Sequence, residues 1–373
     1  MPRGQALAFV YACASETALA ATNLSCPCSK VGDSLMISKT LVAVMGRRLI
    51  ESGLSEPCQI GSREQAGPNS FHTHPHQPRG ATVSEDPVIR PEDREDEQLI
   101  DYFFELYGYL ILKQAVAPAD VAEMNQWAHA HQHYMDETPP QRGHVDSQWI
   151  GHVETHTYSG PDGINFQNIV EAGPVFERHI DHPSWVDHVR RFVDSDRNGL
   201  SLHETLLNIR KQGGYIGIHS GGHLSIPYMT FRQPNTGAWM VGQINVITAL
   251  TDIGPGDGAT TIIRGSHKSA LPHPKQAEAN AVYRSDEAAG SAIGMRELYM
   301  DKGDVLMFTD AITHGSAQRT NEGRRRMVLY RYSPRWIRTR FHYVPSQRLL
   351  ASLTDDQHAI MQPLPPRRPP EDV

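Results

Sequence analysis

The chain has 373 residues, of which 39% are hydrophobic and 21% charged, with a formal net charge of −7 and four cysteines (Cys13, Cys26, Cys28, Cys58) confined to the first sixty positions. That length suits one β-rich or mixed domain of roughly 200–250 residues with extensions. The absence of any run of about 18 apolar residues argues against a membrane-spanning helix, the acidity against a nucleic-acid partner, and the cysteine positions against a disulfide framework or zinc ribbon in the body of the protein.

In chain order, residues 1–94 read as a poorly ordered extension, because small and polar residues mix with Gly and Pro and no period is sustained. Arg3 followed by the apolar stretch Ala6 to Ala14 is a weak targeting signal that Glu16 interrupts, so organelle targeting or a mis-called start stands beside the favoured cytoplasmic location. Cys26 and Cys28, with His72, His74 and His76, are metal-ligand types placed in no element that would fix their geometry. The charged, proline-punctuated stretch Glu85 to Glu97 reads as a solvated linker.

From Leu99 the sequence LIDYFFELYGYLILKQAV predicts an amphipathic helix stopped at Gly108 and then a short apolar strand; Pro118 opens a second helix that ends among His129, His131 and His133. A third helix is predicted over Pro183 to Val193. Six β-branched runs follow (LLNIRK, GYIGIH, QINVITAL, ATTIIR, DVLMFT, RMVLYRYS), separated by Gly, Pro and Asp turns. The expectation is a mostly β domain over residues 95–350, a sandwich or barrel carried on N-terminal helices, and an irregular tail over residues 351–373 that ends in PLPPRRPPEDV.

Two constellations compete for the chemistry. Gly32-Asp33-Ser34-Leu35 with Asp355 and His358 has the residue types and order of a hydrolase triad, but no strand leads into Ser34 to hold its hydroxyl and no oxyanion donor block is apparent. Between Gly213 and Arg335, His219 and His314 each end a strand-like run, and the arginines Arg324 to Arg326 open the next strand. Two imidazoles on separate strand ends suit one iron, with positions left open for a bidentate co-substrate and oxygen. An arginine on a neighbouring strand suits the far carboxylate of that co-substrate. Strand alternation turns Arg324 and Arg326 away from Arg325. His267 reads as a turn-closing structural residue.

These residues resemble the phytanoyl-CoA dioxygenase family of iron(II)- and 2-oxoglutarate-dependent oxygenases. The resemblance spans roughly Leu99 to Pro334 and is carried by DYFFELYGYLILKQAVAPADVAEMN, VFERHIDHPSWVDHV, TALTDIGPGDGATTIIRGSHK and THGSAQRTNEGRRR, with Arg264 in place of the proline in the family's Pro-Gly-Ser-His-Lys signature. It implies a double-stranded β-helix, or cupin-like jelly roll. It further implies iron on His219 and His314, 2-oxoglutarate on Arg325 and Ser316, molecular oxygen as oxidant, and a small-molecule substrate. One departure stands out: the family's His-x-Asp or His-x-Glu is here His219-Ser220-Gly221, without the metal carboxylate. Three readings follow: a site with two protein ligands and chloride, as in related iron halogenases; a sphere completed by His223 or by a carboxylate from elsewhere; or a catalytically idle relative that binds a ligand. Trp239, Gln243 and Arg232, between the proximal histidine and the next core strand, are candidates for substrate contact or for packing.

Overall fold

A computed structural model describes residues 85–137, 147–156, 163–220, 230–232, 235–278, 288–337 and 343–364. The Cys26/Cys28 pair, the His72 to His76 cluster, Ser34, Gly221 and His223 lie outside them. The helices are α1 (Glu97–Tyr107), α2 (Pro118–His131), α3 (Tyr134–Glu137), α4 (Pro174–Glu177), α5 (Val186–Val193), α6 (Ser195–Asn198), α7 (Pro274–Glu278), α8 (Gln347–Ser352) and α9 (Asp355–Met361). None is long and apolar enough to cross a membrane. The start of α1 follows from Asp96, whose side chain accepts from the Leu99 N–H at 3.0 Å. Its end follows from Gly108, which takes φ +81°, a conformation that costs glycine little, and turns the chain into β2 (Tyr109–Leu112). Pro118 stands at the first position of α2, where its missing N–H is no loss.

The remaining strands are β1 (Val88–Ile89), β3 (Trp149–Ile150), β4 (Val153–His156), β5 (Ile164–Gln167), β6 (Leu200–Arg210), β7 (Ile216–His219), β8 (Thr230–Arg232), β9 (Trp239–Val241), β10 (Ile244–Ala249), β11 (Thr260–Ile262), β12 (Arg296–Leu298), β13 (Val305–Thr309), β14 (His314–Ser316) and β15 (Arg325–Pro334). A nine-stranded sheet has the order β1-β2-β13-β10-β15-β6-β5-β4-β3, and a four-stranded sheet the order β12-β11-β14-β7. Every pairing in both is antiparallel except β1 with β2. Because successive strand residues face opposite ways, the large sheet feeds two cores. Val246 and Tyr330 join Phe104, Trp185 and Phe192 in a core on the helical side. Ile247 and Leu329 join Leu206, Phe308, Ile262 and Leu298 in a second core between the two sheets. The architecture is mixed α/β, with helices on one face of a large antiparallel sheet and the small sheet on the other, where the sequence suggested a mostly β domain.

Described elements lie on both sides of the 95–350 range, from β1 at Val88–Ile89 to α9 at Asp355–Met361. Within the supposed linker, Val88 and Ile89 pair with Ile111 and Leu112, and Arg296 binds Glu85 at 2.9 Å and Asp86 at 3.0 Å. Glu85 and Asp86 are thus partners of the sheet edge rather than solvated spacers. Within the supposed irregular tail, Thr354 and Gln357 form a reciprocal capping box at the start of α9, and Ile360 and Met361 enter the helical-side core. Asp355 and His358 of the hydrolase alternative are therefore turns of a capped helix, with the acids at its N-terminus where the helix dipole favours them.

His267 is the structural residue expected. Its Nε2–H donates to the Glu105 carbonyl at 3.1 Å, and a Cβ at Gly108 would collide with its ring. Burial pushes His267 down to about 4, and does the same to His182 and His188. The unfolded chain binds protons at these sites below pH 6.5 whereas the folded chain resists them down to about 4, so stability rises with pH across that window. The melting temperature is expected to fall as pH is lowered from about 6.5 to 4, and His267→Gln to flatten that dependence, as read by thermal denaturation at several pH values.

Candidate active site

Antiparallel pairing of β7 with β14 sets His219 opposite His314, with ring centroids 4.1 Å apart and planes inclined by 52°. His219 Nδ1 lies 2.9 Å from the Gly217 carbonyl and His314 Nδ1 lies 2.8 Å from the Ile312 carbonyl. A carbonyl only accepts, so each Nδ1 carries the proton, and in a neutral imidazole the lone pair is then on Nε2. A hydrogen bond of this kind presents Nε2 to a metal in a fixed orientation. Between the histidine and Ser316, Gly315 is required by close approach: a Cβ there would stand 2.7 Å from the Gly217 carbonyl oxygen and would also meet the Ala289 side chain.

Ser316 lies two residues beyond His314 and so on the same face. Its hydroxyl accepts from the Ile216 N–H at 2.7 Å and from an Arg210 guanidinium nitrogen at 2.5 Å. Arg210 ends β6 and is Cα-paired with Arg325, the first residue of β15. Arg325 is only 1% exposed. One of its terminal nitrogens donates to the Gly258 carbonyl and the other to Asn208 Oδ1 at 2.9 Å, while its buried Nε has no hydrogen-bond partner. Burial and the like charges of Arg210 and Arg319 hold its pKa well below the ordinary arginine value. Arg319 is itself paired with Asp257 at 2.8 Å. A guanidinium buried against other guanidinium groups is costly unless an anion joins it, and its planar fork matches a carboxylate. Its neighbour Arg326 points away as expected, donating to Asn125 and Gln132.

The other sequence-derived candidates separate. Trp239 is buried in the helical-side core, edge-on to Phe104 at 5.6 Å and to Phe192 at 5.0 Å, an environment that matches the packing alternative. Gln243 is buried with its Oε1 accepting from His203 at 3.2 Å. Arg232 lies on β8 with its Cα opposite Trp239. The histidines at the end of α2 serve that helix: His131 meets the Trp127 carbonyl at 2.8 Å, and His133 the Ala130 carbonyl at 3.0 Å. Asn208 and Arg210 escaped sequence reading, although their alternation with apolar neighbours in LLNIRK marks two polar groups on one strand face. Among the described residues no three His, Cys, Asp or Glu side chains form a metal-holding group as they lie. A buried carboxylate, Asp310, does stand near the pair, its Oδ1 4.0 Å from His314 Nε2.

Similarity to known proteins identifies the family. The model of the phytanoyl-CoA dioxygenase (PhyH) family matches residues 104–327. A probable phytanoyl-CoA dioxygenase of Caenorhabditis elegans is 23% identical over 240 residues, covering 62% of this chain and 73% of that protein. The peroxisomal phytanoyl-CoA dioxygenase of Bos taurus is 23% identical over 239 residues, covering 61% of this chain and 65% of its own length. Among solved structures, HygX of Streptomyces hygroscopicus with nickel and 2-oxoglutarate bound is 20% identical with a TM-score of 0.48, over 63% of this chain and 86% of that one. Matched by the family model over more than half of its length, with two facing histidines and a buried arginine inside the matched stretch, the chain belongs to the phytanoyl-CoA dioxygenase family of iron- and 2-oxoglutarate-dependent dioxygenases.

Proposed function

We propose that this protein hydroxylates a small molecule with iron(II), 2-oxoglutarate and oxygen, and that His219 and His314 hold the iron while Arg325 and Ser316 hold the co-substrate. The observation that carries the reading is the buried guanidinium of Arg325, with its unpartnered Nε, on the strand next to that of Arg210, which in turn donates to Ser316. It fits a carboxylate, and two imidazoles with Nε2 as the ligating nitrogen fit a first-row metal. The two sheets sharing one core, with both histidines on the small sheet and Arg325 on the large one, support a double-stranded β-helix. On this reading the catalytic domain runs from β1 to α9, with residues before it as an extension.

When bound, iron with 2-oxoglutarate supplies the oxidising power to break an unactivated C–H bond. The protein's part is orientation and exclusion of water. His219 and His314 present neutral nitrogens without losing a proton. Arg325 would neutralise the far carboxylate of the co-substrate, and Ser316, itself oriented by Ile216 and Arg210, would help to hold it. Phe308, edge-on to His314 at 4.9 Å, walls the metal side with apolar surface.

Anaerobic calorimetric titration of the iron-loaded chain with 2-oxoglutarate, followed by an aerobic assay for succinate, tests the reading. Arg325→Ala is expected to weaken 2-oxoglutarate binding by about 30-fold or more, since truncating one partner of a buried charge pair costs roughly 2–5 kcal/mol. A wild-type chain that binds neither iron nor 2-oxoglutarate would sink it. Gly315→Ala should remain folded yet lose metal affinity, because the added methyl forces β14 away from the Gly217 carbonyl and parts the two histidines; equal metal affinity in the two proteins would show that this pairing does not hold the ion.

A further inference from the structure

We infer that Asp310 supplies the metal carboxylate that the residue two places after His219 does not. The inference rests on the iron-binding reading above and concerns how the sphere is completed. Asp310 follows the last residue of β13 and precedes His314 by one short turn, and its side chain approaches His314. Its Oδ1 stands 4.0 Å from His314 Nε2, the nitrogen that the Ile312 carbonyl leaves as ligand. Donors bound to one first-row metal at about 2.1 Å each lie roughly 3 Å apart when adjacent and about 4.2 Å apart when opposite. The observed spacing is within the span of a single ion. The group is not closed as it lies, and a side-chain rotation moving Oδ1 by about 1 Å reaches the adjacent arrangement.

The surroundings hold this carboxylate as an acceptor and aim it. Asn245 Nδ2 donates to Asp310 Oδ1 at 2.9 Å, while Asn245 Oδ1 accepts from Arg331 Nε at 2.8 Å, so the amide cannot flip to present its oxygen to the acid. Arg331 in turn ion-pairs with Glu204. The Asp310 backbone N–H is tied to the Gln243 carbonyl at 3.0 Å, which fixes the turn from which the side chain projects. Hydrogen bonds of this kind orient ligating carboxylates. At 2% exposure, Asp310 is also buried to a degree at which carboxylates are paired or bound to metal.

The test is titration of the full chain with manganese(II) alone, read by the electron paramagnetic resonance of free ion, for wild type, Asp310→Asn, Asn245→Ala, His314→Ala and Asp310→Asn combined with Gly221→Asp. Loss of a supporting hydrogen bond costs about 10- to 100-fold in metal affinity. Asp310→Asn is therefore expected to lose more than about 100-fold and Asn245→Ala an amount within that range, while adding Gly221→Asp to the Asp310→Asn protein restores at least about tenfold. Should Asp310→Asn fail to fold by circular dichroism, Asn245→Ala decides, since a carboxylate with only a structural role would transmit no loss of affinity. Affinity retained in Asp310→Asn, or in Asn245→Ala, while His314→Ala abolishes it would overturn the inference and leave the iron reading standing. Wild type that binds no manganese would bring down both.

Discussion

The site depends on one pairing, that of the four-residue strand β7 with the three-residue strand β14. Strand alternation puts His314 and Ser316 on one face and Gly315 on the other. The register then sets His219 against His314, and Ser316 against the Ile216 N–H. Neither strand has the length to be stable as an isolated hairpin. They are held by β11 on the far side of β14 and by the core that the small sheet shares with the large one. Gly315 is the cost of that closeness, since any side chain there meets the Gly217 and Ile216 carbonyls and the Ala289 side chain.

Through the interior between the sheets the side chains form layers set by the registers of β10, β15 and β6. Arg325 lies opposite Arg210 at one end; Ile247, Leu329 and Leu206 form an apolar layer in the middle; Asn245, Arg331 and Glu204 make a polar layer beyond it. The two polar ends differ in kind. The Arg331–Glu204 pair closes its own charge, whereas the Arg325 end concentrates positive charge in a place where solvation is lost. A polypeptide does not retain such a group for stability, because a well-packed apolar residue would serve as well or better there. On the proposed reading, binding of the co-substrate carboxylate is the physical reason for such a group. The strand β14 then runs along this axis, from a histidine near the polar layer to a serine that Arg210 touches.

What could be read from the sequence divides along the range of the interactions. The run from α1 through Gly108 to β2, the proline start of α2 and the six core strands rest on local period and local turn chemistry, and all of them stand in the structure. Residues whose role comes from distant partners could not be read that way. Val88 and Ile89 sit among charges that look like a linker until Arg296 is brought beside them. Trp239 stood as a candidate for contact or packing because it lies between His219 and the next core strand, yet Phe104 of α1 and Phe192 of α5 pack against it. The histidine pair stood out as strand ends, and Arg325 was singled out from its cluster only by the family resemblance, not because any local period marks them. Asp310 had no such pattern, being one acid in a turn sequence whose meaning depends on Asn245 and Arg331, on two other strands.

Charge balance bears on which side chain stands beside the metal. Iron(II) and dianionic 2-oxoglutarate cancel, and the Arg319–Asp257 and Arg331–Glu204 pairs are each neutral. Arg325 adds its own positive charge, so on the proposed reading a loaded site built on imidazoles alone would be cationic in an interior where unbalanced charge is expensive. Replacing the missing carboxylate by another histidine would leave that excess unchanged; a carboxylate reduces it and strengthens the hold on a divalent ion. Asp310 is buried already and oriented already by the Asn245 amide, which sets its carboxyl group beside His314. A loss of the acid two places after His219 is thus tolerable on electrostatic grounds if another acid approaches from the β13 side, and position 310 is where the fold sets one against a histidine.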